Sequence, residues 1–250
     1  MSSTLDIITI DAGNTTVKLG HFVAGKLVDV QRVARDAVIH HPLLANSNSK
    51  QLVISSVLDG DFVYQLTEAH PAAFVVGNKM SLPFENLYQQ PEQLGLDRLC
   101  NAAFAHQAQP RTNTLVIDLG TCLKFDFINA NQVYLGGSIS PGIRLRYASL
   151  NDYTDKLPLL EMPSSSTLIG DSTAASIHAG ILHGIHAEIK GMIACYEAEF
   201  SDLIVYLTGG DIEHFDFAGK NNIFVDQNLT LKGLYYLYEY QTLRSPADRR

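Results

Sequence analysis

The stretch LDIITIDAGNTTVKLGHFVAGKLVDVQRV (5–33) decides the fold. Residues 5–11 are rich in β-forming side chains and stop at Ala12-Gly13-Asn14. TTVKLGHFV then alternates as a strand does, and Ala24-Gly25-Lys26 turns the chain into KLVDVQRV. This reads as three strands joined by two tight turns. The pattern returns in TLVIDLGTCLKFDFINANQVYLGG (114–137), with a turn at Asn129-Ala130-Asn131. Asp11 and Asp118 occupy matching places, each ending a hydrophobic strand and each followed by x-Gly and then Thr or Asn-Thr. A strand–Asp–x–Gly–strand–strand unit once per half is an internal repeat, which predicts two α/β domains of related topology.

Outward from the repeats, each half adds a buried strand and helices. In the first, QLVISSVLDG reads as a strand and LDRLCNAAFAHQA (96–108) as a helix closed by Pro110. In the second, GGSISPG (136–142) reads as a flexible stretch feeding a helix start near Pro141, with N–H groups open to an anion. A long helix is predicted over 172–200, where Ile177, Ile181, Ile185, Ile189 and Ile193 recur every fourth residue. DLIVYLTGGD (202–211) is a strand ending in a Gly turn, and 228–243 the final helix. The boundary falls in QAQPRTN (107–113), giving domains 1–110 and 111–250, with the final helix a candidate to pack back on the first half.

Composition excludes several classes. Of 250 residues, 46% are hydrophobic and 18% charged, too apolar for intrinsic disorder. The formal net charge of −8 argues against general affinity for nucleic acid or an anionic membrane, because phosphate backbones are held by clustered Lys and Arg. No segment approaches the roughly 20 apolar residues that span a bilayer, and Asp6 and Asp11 interrupt any signal-like core at the N-terminus. Cys100, Cys122 and Cys195 form no CxxC, so a disulfide scaffold and a zinc site are not suggested and reduced thiols in a cytoplasm fit best.

Three Gly turns follow hydrophobic strands: DAGNT (11–15), DLGT (118–121) and TGGD (208–211). Such turns expose N–H groups, and Gly lets a phosphate come close. An Asp in two of them adds a seat for a cation and its water shell beside an oligophosphate. One Asp at a strand end is most simply a turn residue; two at equivalent points of a duplicated unit favour function. Neither GxxxxGK[ST] nor a helix-opening GxGxxG is present, which argues against a P-loop NTPase and a Rossmann dehydrogenase. Lys18, on the strand leaving the first turn, is either a phosphate contact or an exposed lysine.

YQQPEQLGLDR (88–98) is the candidate catalytic segment. Gly95 frees the chain to turn, and Asp97 and Arg98 enter the first turn of a helix, where the dipole favours an ionised carboxylate. A carboxylate there is suited to accept a proton from a hydroxyl attacking a phosphoryl group. Arg98 offers a planar fork for a substrate carboxylate. The plain alternative is a capping Asp beside a solvated Arg. The nine histidines make no HExxH or other ligand spacing, and Cys122 reads as a small filler.

DAGNTTVK, YQQPEQLGLDR, IDLGT, GGSISPG and STAASIHAG occur in the order and approximate spacing of type III pantothenate kinases, and the chain resembles that family from residue 6 to about residue 235. The resemblance implies duplicated ribonuclease H-like (actin-like ATPase) domains with a central mixed sheet in each half, ATP in a cleft, and phosphorylation of pantothenate on its terminal hydroxyl. By similarity Asp11, Ala12, Gly13, Asn14, Thr15, Thr16, Val17, Lys18 and Thr121 bind ATP, and Asp11 holds magnesium through water. Asp118 matches the seat of a monovalent cation, potassium or ammonium. Tyr88, Gly95, Leu96, Asp97, Arg98 and Thr173 match the pantothenate contacts, and Asp97 the general base. A homodimer is implied, because the family completes part of its substrate site from a second protomer. Where the family often reads GTATTFD, this chain reads GTCLKFD, putting Lys124 near the cation or the phosphates, or pointing harmlessly outward. The rivals are a non-catalytic homologue acting as a transcriptional accessory factor and another kinase or phosphatase of the superfamily.

Overall fold

The computed structural model describes residues 6–13, 16–45, 50–56, 60–217 and 221–243. Strands β1 (Asp6–Ala12), β2 (Val17–Val23), β3 (Lys26–Val33), β4 (Lys50–Ser56) and β5 (Phe74–Val75) form a sheet in the order β3-β2-β1-β4-β5. β1 pairs antiparallel with β2 and parallel with β4. It is therefore central, and Ile8, Thr9 and Ile10 are buried in succession, as expected of a strand covered on both faces.

The second sheet joins β6 (Glu85–Asn86), β7 (Thr114–Leu119), β8 (Cys122–Ile128), β9 (Val133–Pro141), β10 (Ile204–Thr208) and β11 (Ile223–Val225) in the order β11-β10-β7-β8-β9-β6. Taken from β9, the order β9-β8-β7-β10-β11 repeats that of the first sheet, and β7 runs parallel to β10 as β1 does to β4. This is the duplicated ribonuclease H-like arrangement that the family resemblance implies, built on the two Asp-x-Gly hairpins. One expectation is corrected: GGSISPG is not a flexible stretch, since it supplies the last part of β9 up to Pro141. Gly136 takes φ +99°, which bends the strand without ending it, and Ser138-Ile139-Ser140 keeps a two-residue alternation.

Helices α1 (Gly60–Ala69), α2 (Leu96–Ala108), α3 (Ile143–Asp152), α4 (Thr173–Glu199) and α5 (Leu229–Leu243) complete the chain. α4 is capped by Ser172, whose hydroxyl accepts the Ala175 N–H at 3.2 Å, and its five Ile at fourfold spacing are all buried. Each such Ile contributes about 1.5–3 kcal/mol over an exposed one. Compactness divides the chain into one unit of 1–111, 126–136 and 228–250 and another of 112–125 and 137–227.

In the first unit α5 lies against α2 so closely that a Cβ on Gly233 would stand 1.9 Å from the Cys100 carbonyl oxygen. Thr230 Oγ1 donates to Asn101 Oδ1 at 2.9 Å across the same contact, and Tyr235 stacks on Phe22 of β2 at 4.3 Å. These contacts fix α2, and with it the segment at its N-terminus.

Candidate active site

α2 begins after Gly95, which caps it without a side chain. Asp97 stands in the first turn, and its Oδ1 accepts the Arg98 backbone N–H at 2.8 Å. A Cβ on residue 95 would sit 2.6 Å from that oxygen, so glycine here is a condition of the carboxylate's position. Gly95 and Leu96 line a cavity of ≈ 630 Å³ with Ser56, Asn78 and Lys79, three residues that sequence reasoning did not single out.

Arg98 is not a solvated arginine. It is 4% exposed, and its Nε donates to Asp126 Oδ1 at 2.7 Å. The Tyr134 hydroxyl donates to the same oxygen at 2.7 Å. Burial, and then the charge of Asp126, push the Tyr134 hydroxyl well above an ordinary phenol, so it stays a donor. Desolvation, the largest single influence, pulls the guanidinium down, but the charge and hydrogen bond of Asp126 together with Tyr134 and Tyr88 outweigh it, and Arg98 stays charged. Tyr88 covers the group, with its ring centroid 5.5 Å from Arg98 Cζ. The Arg98 Nη2 atom is buried with no hydrogen-bond partner among the described residues. A buried charged donor left over is costly unless an acceptor arrives, which is what a binding group awaiting an anion looks like.

Asp126 and Tyr134 were both missed. The signal available was FDFI (125–128), an Asp inside an otherwise apolar strand, which needs a buried partner. Of the expected phosphate residues in the first unit, Asp11 and Ala12 end β1, Gly13 N–H donates to Thr16 O at 3.1 Å, and Val17 and Lys18 open β2 with Lys18 opposite Asp11 in register. Asn14 and Thr15 lie outside the described residues. An Asp carboxylate beside such a turn suits a hard cation held through water.

In the second unit Asp118 is the next-to-last residue of β7, and Gly120 N–H donates to Cys122 O at 3.0 Å to make a tight hairpin. Gly142 presses on this turn: a Cβ there would lie 2.1 Å from Gly120 O, and Gly142 N–H donates to Thr121 O at 3.1 Å. From the third Gly turn, Asp211 N–H donates to Leu119 O at 3.1 Å. The DLGT and TGGD turns are thus brought together. Lys124 Nζ is 2.7 Å from Asp118 Oδ2. Thr173, the first residue of α4, borders a second cavity of ≈ 710 Å³ with Arg146, Leu150 and Ile177.

The fold and the Asp-x-Gly turns define the class: a duplicated ribonuclease H-like protein of the actin-like ATPase kind. It is similar to the solved structure of MreB5 of Spiroplasma citri bound to ADP, at a TM-score of 0.51 and 9% identity over 96% of this chain and 98% of that one. It is also similar to a Campylobacter jejuni protein described as a Baf family transcriptional activator, at a TM-score of 0.65 and 18% identity over 94% and 98%. At these identities both show the fold alone. A sequence profile of the type III pantothenate kinases matches residues 7–195, and the Flavobacterium johnsoniae protein named type III pantothenate kinase is 40% identical over 239 residues, 94% of this chain and 98% of its own. The chain belongs to the type III pantothenate kinase family.

Proposed function

We infer that the protein transfers the γ-phosphoryl group of ATP to the terminal hydroxyl of pantothenate, the first step of coenzyme A biosynthesis. Family membership supports the reaction. The observation that carries its mechanism is Asp97 at the start of α2, beside a buried Arg98 with one guanidinium nitrogen left over.

In this reading Asp97 takes the hydroxyl proton as the oxygen attacks phosphorus, and ADP leaves. Arg98 Nη2 receives the substrate carboxylate, while Asp126 and Tyr134 hold the guanidinium from behind and Tyr88 closes over it. Gly95 and Leu96 line the substrate cavity, and Thr173 adds a contact in a homodimer. Asp11 to Lys18 line the ATP phosphates, and Thr121 contacts ATP. Asp11 would hold magnesium through water, and the ion would supply positive charge to offset that of the phosphates. Asp118 is the seat of a monovalent positive charge. The two actin-like domains are residues 1–110 and 111–250, save that 126–136 and the final helix group with the first compact unit, and the enzyme works in the cytoplasm. Among the described residues no helix is long and apolar enough to cross a membrane.

Coupled ADP release with ATP and magnesium should require pantothenate, and Asp97→Asn should lower kcat by about 10²–10⁴-fold, the range of a lost general base. Turnover indifferent to pantothenate, or unchanged in Asp97→Asn, would overturn the reading.

A further inference from the structure

We propose that Lys124 supplies the monovalent positive charge at Asp118 from within the chain, so that nucleotide binding and turnover need no added potassium or ammonium ion. The inference rests on the kinase reading for the role of Asp118, and on geometry for the rest.

The Lys124 ammonium lies 2.7 Å from Asp118 Oδ2, and the two side chains are only 15% and 13% exposed. The pair is built into the hairpin. Counting outward from the Gly120-to-Cys122 bond, Asp118 on β7 faces Lys124 on β8, so the lysine reaches the carboxylate straight across the two strands. The first sheet has the same arrangement, where Asp11 and Lys18 are register partners at the matching strand ends. A lysine across from the turn Asp therefore occurs in both copies of the repeat.

An independent monovalent cation does not fit this arrangement. It would have to share the Asp118 carboxylate with an ammonium already in contact with it, against like-charge repulsion. A lysine head group is chemically a tethered ammonium ion, a compact charge with three N–H donors. It can serve the same electrostatic role beside a polyphosphate without being drawn from solution.

The test is Mg-ATP affinity by calorimetry, alongside pantothenate-dependent turnover, in potassium, sodium or tetramethylammonium chloride at one ionic strength. The natural protein should bind ATP with a Kd that agrees within about twofold in all three salts, since screening is held constant. Lys124→Ala should bind about tenfold more weakly in tetramethylammonium, the scale of one charge-assisted contact, and potassium or ammonium should restore it. A thermal melt of the variant checks that it is folded. A steep loss of affinity by the natural protein when potassium is withdrawn, or a folded Lys124→Ala that binds ATP like the natural protein in every salt, would overturn the proposal. Absence of pantothenate turnover in every salt would instead sink the kinase reading, with the calorimetry still reporting on Lys124.

Discussion

Two ion pairs hang from β8 two residues apart, and they are built for different ends. Asp126 reaches Arg98, with side chains 1% and 5% exposed, and Lys124 reaches Asp118, with side chains 15% and 13% exposed. In the first pair the acid serves two donors, Arg98 Nε and the Tyr134 hydroxyl, and the guanidinium keeps Nη2 buried and unmatched. In the second, one ammonium meets one carboxylate across a hairpin. The deeper pair fixes the guanidinium and leaves Nη2 buried and unmatched, which is what the proposed binding of a substrate carboxylate requires. The shallower pair cancels a charge. Depth and unmatched donors, rather than the presence of a salt bridge, distinguish a positioning device from a neutralising one.

The comparison breaks most visibly at Asp126. Asp126→Ala leaves the Arg98 guanidinium buried without its counter-charge, and removing one partner of such a pair costs about 3–5 kcal/mol. A urea titration should show that loss as a lower midpoint at unchanged slope. If the cost were below about 1 kcal/mol, the range of an exposed pair, Arg98 would not depend on Asp126 as its burial requires.

Tyr134→Phe is the next smaller step. The ring stays, Asp126 Oδ1 keeps Arg98, and one hydrogen bond to a charged acceptor is lost, worth about 1.5–3 kcal/mol. If Arg98 binds pantothenate as proposed, the Tyr134 hydroxyl acts on it through Asp126 and Arg98, so KM for pantothenate should rise while KM for ATP holds. Equal rises in both would show that the change is a general loosening of the fold.

The three-stranded hairpin unit of each half was legible because the repeat is written in local chemistry: two apolar runs, each ending in Asp-x-Gly, each followed by an alternating run; the place of the later strands in each sheet was not. α2 spans the predicted 96–108, since its Ala-rich pattern and the residues that end it are also local. GGSISPG misled because glycines suggest a loop, whereas β9 continues through them. α1, β5, β6 and β11 were not read; the last three are two or three residues long and owe their pairing to neighbours distant in sequence. The site divides in the same way. Gly95, Asp97 and Arg98 announce themselves within one turn, but Asp126 lies 28 residues from Arg98, and only the folded sheet shows why an acid interrupts FDFI. Lys124 was visible as a departure, with its direction undecided until Asp118 was seen opposite.

The smallest expected effect tests the shallower pair. Lys124→Gln leaves Asp118 without its ammonium, but both side chains keep some contact with water, so the carboxylate regains hydration as the lysine leaves. The cost in urea should be about 1 kcal/mol, at the upper end for exposed pairs and well below that of Asp126→Ala. Asp118→Asn should cost about the same, for the converse reason that Lys124 is long enough to turn outward. The double variant decides the matter. If the pair only cancels charge, Asp118→Asn with Lys124→Gln puts two neutral amides face to face across the hairpin, and its stability should return to within about 0.5 kcal/mol of the natural chain, the error of simple additivity for uncoupled sites. A double variant that keeps both losses would mean that the two side chains are anchored separately, and a single-variant cost near that of Asp126→Ala would make the two pairs on β8 one kind of device.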